Sequence, residues 1–351
     1  MRTESNSPVP GGPSAVGREG RQAATIYDVA KLAGVNASTV SRALSQPGRI
    51  SAKTDKKVQD AVKALNYRVN PVARALPTGR TKTIGLLVAD ITNPVFFDIA
   101  RGAERAAATR DYTLVLAESA ESPETELLAA QRLLAVADGV VLATSRLSDD
   151  QIRQLSQSKP VVVINREVAD VPSVMADIET GISQAVRHLF MLAHKSVAYV
   201  AGPERSWMSR RRWEIINDRC NWSNISAVPI GGSAPTVEGG RKAAMKVLES
   251  GATAVIAYND LVAIGLMQEM VGGGKDVPDD ISIIGFDNIF GSDFTTPPLT
   301  TISSPLAEMG ASAIELVLRA VGATEGAGDI GDLATELLIR GSTGKVRIPP
   351  R

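Results

Sequence analysis

The amino-acid sequence predicts a small all-α helix-turn-helix headpiece followed by an α/β core of two Rossmann-like lobes. Three observations carry that prediction. Residues 25–68 hold three short apolar stripes of helical period and much positive charge. From about Thr83, Val/Ile-rich runs alternate with helix-like segments, the pattern of a parallel sheet covered on both faces. The alternation continues almost to the end of the 351-residue chain, too long for one sheet, so two lobes are expected.

The elements follow in order. Residues 1–24 are rich in Pro, Gly and Ser, offer little to bury, and read as a disordered tail. Thr25 caps the first helix with Asp28 as its capping-box partner; Val29, Leu32 and Ala33 point inward and Gly34 ends it. Asn36 caps the second, which buries Val40 and Leu44 and stops at Pro47-Gly48. Ser51 or Thr54 opens a third, with Val58, Ala61, Val62 and Leu65 inward. The headpiece therefore spans 25–69, and 70–81 is a hinge helix or linker. Strand-like runs then come at IGLLVAD (84–90), TLVLAES (113–119), GVVLAT (139–144), PVVVIN (160–165), SVAYVAG (196–202), TAVIAYND (253–260) and ISIIGFD (281–287). Helix-like segments between them include 97–109, 124–136, 179–193, 237–249 and 261–271.

Charge is unevenly placed. The chain is formally neutral, with 38 basic and 38 acidic residues. Residues 21–82 hold twelve Lys and Arg against three Asp and Glu, a net +9; residues 1–20 balance, so 83–351 carry −9. A basic head on an acidic body points to an anionic partner for the head alone.

Several function classes lose support. Cys220 is the single cysteine and cannot form an internal disulfide, which fits a reducing cytoplasm. The N-terminal residues lack an apolar secretory region, and no run reaches the roughly 18 apolar residues of a membrane span, so a cytoplasmic protein without a membrane partner is expected. There is no GxGxxG after the first strand and no P-loop, hence no cofactor is expected. With only two histidines, His188 and His194, and no nucleophile–base or metal-ligand spacing, no enzyme, catalytic residue or metal site is expected.

The second helix lies in AGVNASTVSRAL (33–44), which is short and small-faced. A DNA major groove about 12 Å wide just admits a helix, and bulk on the leading face would hold it off. Ala37 and Ser38 sit at the leading end. Arg42, one turn later on the same face, can fork onto guanine O6 and N7. Thr39 and Ser41 can donate to phosphates, which position without specifying. In the core, ligands bind beyond the carboxyl ends of parallel strands. Asp90, Asn93, Asn165, Arg166, Asn259, Asp260 and Asp287 fall there, a ring of hydrogen-bonding groups around a cleft.

TIYDVAKLAGVNASTVSRALS resembles the headpiece of the lac repressor (LacI/GalR) family of bacterial transcription regulators. NYRVNPVARAL is similar to the family's third-helix end and hinge helix. TIGLLVADITNPVFFDIARGAE, ADGVVLAT, YNDLVAIG, ISIIGFDN, PPLTTI and RGST match successive family landmarks, so the resemblance covers about residues 25–343.

It implies a periplasmic-binding-protein-like core over 82–345 with interleaved lobes, about 82–175 with 304–331 and about 176–303 with 332–345, and a tail at 346–351. It implies that the hinge folds on DNA, with Leu76 as a minor-groove wedge and Asn70 and Arg74 at the backbone or groove. Pro77 departs from the pattern and would end that helix abruptly. Thr25 and Tyr27 join the DNA-facing set. Phe96, Asn165, Arg212, Asn259, Asp260 and Asp287 are the implied effector contacts, and Ile215 stands about where the family usually has a glycine. His194 reads as structural. The implied partners are a palindromic double-stranded operator, a second copy of the chain in a homodimer, and a small-molecule effector, a carbohydrate. The implied function is an effector-controlled repressor; a cytosolic sugar-binding protein or an α/β enzyme on the same core are the alternatives.

Overall fold

The computed structural model describes residues 24–45, 48–67, 79–324 and 333–346. The hinge candidates Asn70, Arg74 and Leu76, with Pro77, lie outside the described residues, as do most of the two tails. The chain divides into two compact units, Met1–Thr78 and Gly79–Arg351.

The first unit is three helices around one core: α1 (Ile26–Ala33), α2 (Ala37–Ser45) and α3 (Ala52–Ala64). Thr25 and Asp28 form the expected capping box, and Gly34 closes α1 at φ 67°, a left-handed conformation that glycine enters without strain. Ser51, not Thr54, caps α3. Val29, Ala30, Ala33, Val40, Ala43, Val58 and Ala61 are buried together, with Leu44, Val62 and Leu65 packed at their edge. Leu32 corrects the expected stripe: it is 55% exposed. The stripe starts at Ile26 and runs 26, 29, 30, 33, which leaves Leu32 on the far side of the helix.

The second unit holds two sheets. The first has the order β2-β1-β3-β4-β5, all parallel, from β1 (Thr83–Val88), β2 (Thr113–Glu118), β3 (Gly139–Ala143), β4 (Val161–Ile164) and β5 (Ser173–Val174). The second has the order β11-β10-β9-β8-β6-β7, from β6 (Ser196–Val200), β7 (Ser226–Ile230), β8 (Ala254–Ala257), β9 (Ser282–Asp287), β10 (Thr300–Ser303) and β11 (Glu336–Leu338). Among the described strands of this sheet, only β11 runs antiparallel to its neighbour. The helices are α4 (Val95–Ala108), α5 (Pro123–Val136), α6 (Asp149–Ser156), α7 (Ile178–Met191), α8 (Trp207–Trp222), α9 (Val237–Glu249), α10 (Asp260–Gly272) and α11 (Leu306–Ala320).

Central strands such as β3, β4 and β8 are buried along their whole length, which is why they read as unbroken apolar runs. The chain passes between the sheets at 174–178 and 303–306, and again before β11. These crossings are tied together: Asp177 N–H donates to the Leu333 carbonyl at 2.9 Å and the Thr335 hydroxyl donates to the Asp177 carbonyl at 2.6 Å. Each lobe also has one intimate helix crossing. A Cβ on Gly102 would sit 1.9 Å from the Ala307 carbonyl oxygen, and one on Gly310 2.0 Å from that of Ile99, so α4 and α11 meet backbone to backbone. Gly240 and Gly265 do the same for α9 and α10.

Candidate DNA-reading face and ligand cleft

In the headpiece, α2 separates its residues by role. Val40 and Ala43 are buried, Ala37 and Thr39 half-buried, and Ser38, Ser41 and Arg42 exposed. Burial of the apolar side against α1 and α3 fixes which face α2 offers. That face begins at Asn36, whose carbonyl accepts from the Thr39 and Val40 amides. Tyr27 is 73% exposed on α1. Thr25 is exposed but occupied: its hydroxyl donates to the Asp28 carboxylate at 2.7 Å and its amide does so at 2.8 Å. These bonds hold the Asp28 carboxyl below the usual range, with Lys31 adding slightly.

In the core, a cleft opens between the two sheets beyond their strand ends. Its wall includes Asn93, Phe96 and Asn165 from the first lobe and Arg212, Asn259 and Asp287 from the second. The structure thus brings together five of the six expected effector contacts. Asp260 is the exception and is corrected: fully buried, it turns away from the cleft, accepting from the Thr301 hydroxyl at 2.6 Å and the Ile289 amide at 2.8 Å. Burial pushes its carboxyl up to about 8, against the pull of the Thr301 bond. Its place at the start of α10 puts it under β9, where Gly285 leaves room for it: a Cβ there would lie 2.0 Å from the Asp260 oxygen. Asn259 lines the cleft, but both ends of its amide are engaged, by the Val262 amide at 2.9 Å and the Pro235 carbonyl at 3.1 Å.

The strand ends around this cleft are turned by left-handed residues that are not glycine. They are Ala120 and Glu121 after β2, Thr144 after β3, Asn165 after β4, and Asp287 at the end of β9, with φ between 50° and 99°. Such backbones cost about 1–3 kcal/mol each and gather where a site must be aimed.

Arg212 is the best-defined group. It is buried, while its neighbours Arg210 and Arg211 are exposed. Its guanidinium donates to the Tyr258 carbonyl and, at 3.0 Å, to Asp287 Oδ1, and lies 3.5 Å from the Phe286 ring centre. Its Nε is buried without a hydrogen-bond partner. Burial raises the Asp287 carboxyl and Arg212 pulls it back down, with burial the larger effect. Ile215, one turn on from Arg212, is buried in the core.

Among the cleft residues that sequence reasoning missed are Glu121, Arg146 and Tyr258. The signal was the same strand-end rule, since Glu121 and Arg146 each lie three residues past a strand, but Arg146 carries no motif of its own. The remaining free volume is about 30 Å³, room for about two water molecules. A ligand of sugar size therefore enters only as the lobes part or side chains move.

Both histidines sit elsewhere. His194 bonds Thr253, Ser282 and the Gly344 carbonyl, and His188 bonds Thr343, which pins the C-terminal segment to the second lobe. Among the described residues, no group of three metal-ligating side chains is close enough to hold an ion, and no helix is long and apolar enough to cross a membrane.

Comparison with known proteins places both units. Residues 25–70 match the family model of bacterial regulatory proteins of the lacI family. Residues 81–334 match that of periplasmic binding proteins and the sugar-binding domain of the LacI family. Similar curated proteins include the HTH-type transcriptional repressor CytR of Escherichia coli (strain K12), 33% identical over 329 residues, 92% of this chain and 96% of that one. The HTH-type transcriptional regulator DegA of Bacillus subtilis (strain 168) is 34% identical over 333 residues, 91% and 98% of the two chains. A solved lac repressor dimer, bound to operator and the anti-inducer ONPF, aligns with a TM-score of 0.80 at 27% identity, covering 92% of this chain and all of that one. A regulator from Enterococcus faecium with bound ribose aligns at 0.66 and 30% identity, over 76% of this chain and 100% of its own.

Proposed function

This chain belongs to the LacI family of bacterial regulatory proteins, and from that premise we propose that it is a sequence-specific, DNA-binding transcriptional repressor whose operator affinity is set by a carbohydrate held between its core lobes. The observation that carries the reading is α2, a short helix buried on one side and bearing exposed Ser38, Ser41 and Arg42 on the other. Arg42 reads a guanine, the small residues let the helix approach, and Tyr27, Thr25 and Thr39 contact the backbone. Asn70, Arg74 and Leu76 engage the hinge site on DNA. Two copies read two half-sites, so the operator is an inverted repeat. The effector contacts are Phe96, Asn165, Arg212, Asn259 and Asp287. Only a ligand that favours one lobe arrangement alters DNA affinity. Neither a nucleotide-cofactor enzyme nor a free sugar-binding protein accounts for the headpiece.

The test is selection of bound sequences from random duplex DNA by the full-length protein at stated salt. Enrichment of an inverted repeat is expected, with loss of guanine preference in Arg42→Ala. Equal binding of all sequences by both proteins would refute the reading.

A further inference from the structure

A second cluster of directed contacts lies outside the cleft, where the core begins. Arg80, Thr81 and Lys82 follow Gly79, the first residue of the second unit, and each grips a different element. Arg80 Nη2 donates to the Val321 carbonyl at 2.5 Å and the Gly322 carbonyl at 3.2 Å, just past the end of α11. The Thr81 amide and hydroxyl donate to Asp138 Oδ1 at 2.7 and 2.9 Å, and the Lys82 amide donates to Asp138 Oδ2 at 3.1 Å. Asp138 lies between α5 and β3 and gives its own amide to the Thr83 carbonyl at 2.8 Å. The Lys82 ammonium sits 4.4 Å from the centre of the Tyr112 ring, shortly beyond the end of α4.

These anchors are more directed than a passive linker needs. Carbonyls at a helix end lack intrahelical partners and the helix dipole is negative there, so a guanidinium bonded to two of them is a fixed attachment. Lys82 is held at φ 55°, a left-handed backbone that a lysine adopts only where its surroundings impose it. The two helices whose ends meet here also lead back to the lobe boundary. α4 carries Phe96 of the cleft wall near its start. α11 starts at Leu306, directly after the chain crosses from the second sheet at 303–306. At the Gly102 and Gly310 contacts the two backbones leave no room for one helix to slide on the other. With 15 residues, α11 is a rod of about 22 Å running from the lobe crossing to Arg80.

We propose that residues 80–82 are the joint that couples the DNA-binding unit to the lobe crossing through α11, and that Arg80 is its positioning residue, acting on operator affinity without touching DNA. The proposal rests on the operator-binding reading above and names the residues that carry its regulation. An operator held by the headpiece restrains the chain that enters Gly79. Arg80 passes that restraint to the C-terminal turn of α11. By the same linkage, a shift at the lobe crossing reaches the DNA-binding unit.

The experiment uses the full-length protein and an operator duplex recovered by the selection above, with no effector added. Hydrogen exchange is read at the Val321, Gly322 and Ala323 amides, which donate to the Val317, Arg319 and Leu318 carbonyls. Operator is expected to slow them at least about fivefold in wild type and not in Arg80→Met. Arg80→Met is also expected to weaken operator binding about tenfold, with the dependence of log Kd on log salt unchanged. Loss of a phosphate contact would instead lower that slope by about 0.9. Arg80→Lys keeps a cation at the helix end and retains part of both effects. A merely structural Arg80 would, when replaced, speed exchange equally with and without operator and leave the affinity unchanged. Unchanged exchange in operator-bound wild type would overturn the proposal, and that result needs no variant to fold. The same slowing in Arg80→Met, an unchanged affinity, or a lowered salt slope would also overturn it. A selection that enriches no sequence overturns the operator reading and this proposal with it, whereas failure on an enriched operator overturns this proposal alone.

Discussion

Replacing Arg212 with Met removes the cation from the best-buried ion pair in the cleft and keeps most of the side chain's length. The side chains of Arg212 and Asp287 are 5% and 9% exposed, and their atoms are 3.0 Å apart. Breaking such a pair from one side leaves an uncompensated buried charge, a loss of about 3–5 kcal/mol. Methionine retains contact with the Phe286 ring, on which the guanidinium now stacks, so little of the loss comes from packing. The carboxylate left behind is already raised by burial, and without Arg212 it rises further. Its folded-state pKa then lies above the unfolded one, so the folded state holds the extra proton. The deficit of the variant is therefore smallest in acid, near the usual carboxylate range, and grows as pH rises through the raised pKa.

The double variant Arg212→Met/Asp287→Asn removes both charges and recovers most of the stability, because a neutral, well-packed replacement of a buried pair costs little. All three tryptophans, Trp207, Trp213 and Trp222, lie in α8 with Arg212, so urea unfolding followed by intrinsic fluorescence reports on the helix concerned. A single-variant loss below about 1 kcal/mol, a loss flat with pH, or no recovery in the double variant would refute the reasoning.

Three further outcomes are expected. Arg42→Ala leaves headpiece folding unchanged, since the side chain is exposed, and costs about 1–3 kcal/mol of discrimination at one operator base pair, measured by competition between matched and mismatched duplexes. Gly310→Ala destabilises the core by about 1–3 kcal/mol or more in urea, because its new Cβ would lie 2.0 Å from the Ile99 carbonyl and neither backbone can yield cheaply. Wild-type stability falls as pH rises from the carboxylate range toward about 8, because folded Asp260 keeps a proton that the unfolded chain has lost. Asp260→Asn flattens that slope, and an unchanged slope would show that another group sets it.

Much of the fold was legible because burial and periodicity coincide in it. The seven Val/Ile-rich runs all became strands, and the five helix segments lie within two or three residues of α4, α5, α7, α9 and α10. What escaped lacks that coincidence. β5 has two residues, and β7 is a half-exposed edge strand containing Pro229, tolerated there because an edge N–H position need not pair. α8 is polar over much of its surface, and its buried face includes Ser209 and Arg212, so its apolar stripe is broken where the cleft needs polar groups. The glycine crossings were equally hidden, because a glycine's purpose there depends on another helix, for Gly102 and Gly310 one some two hundred residues away in the chain.

The candidate site was legible only where function and local structure agree. Asn165, Asn259 and Asp287 were found from the strand-end rule, which follows from topology alone. The same rule overreached at Asp260. It places a residue at the cleft edge but does not say toward which side the carboxylate turns, and here Gly285 opens a pocket on the protein side. It fell short at Glu121 and Arg146, where two residues of irregular chain separate each from its strand. Those turns contain Ala120, Glu121 and Thr144 in left-handed conformations, a poor choice for stability and invisible to propensity. Residues that oppose their own backbone preference survive only where the surroundings over-determine them. Around this cleft the over-determination is explicit: Thr144 gives its carbonyl to Arg146, Arg146 binds Glu121, and Glu126 holds the Arg146 amide. The strain and the charge pairing are thus one device. The left-handed backbone is the reason sequence patterns missed the first-lobe wall, and the hydrogen-bond network around Arg146 is what holds it in place.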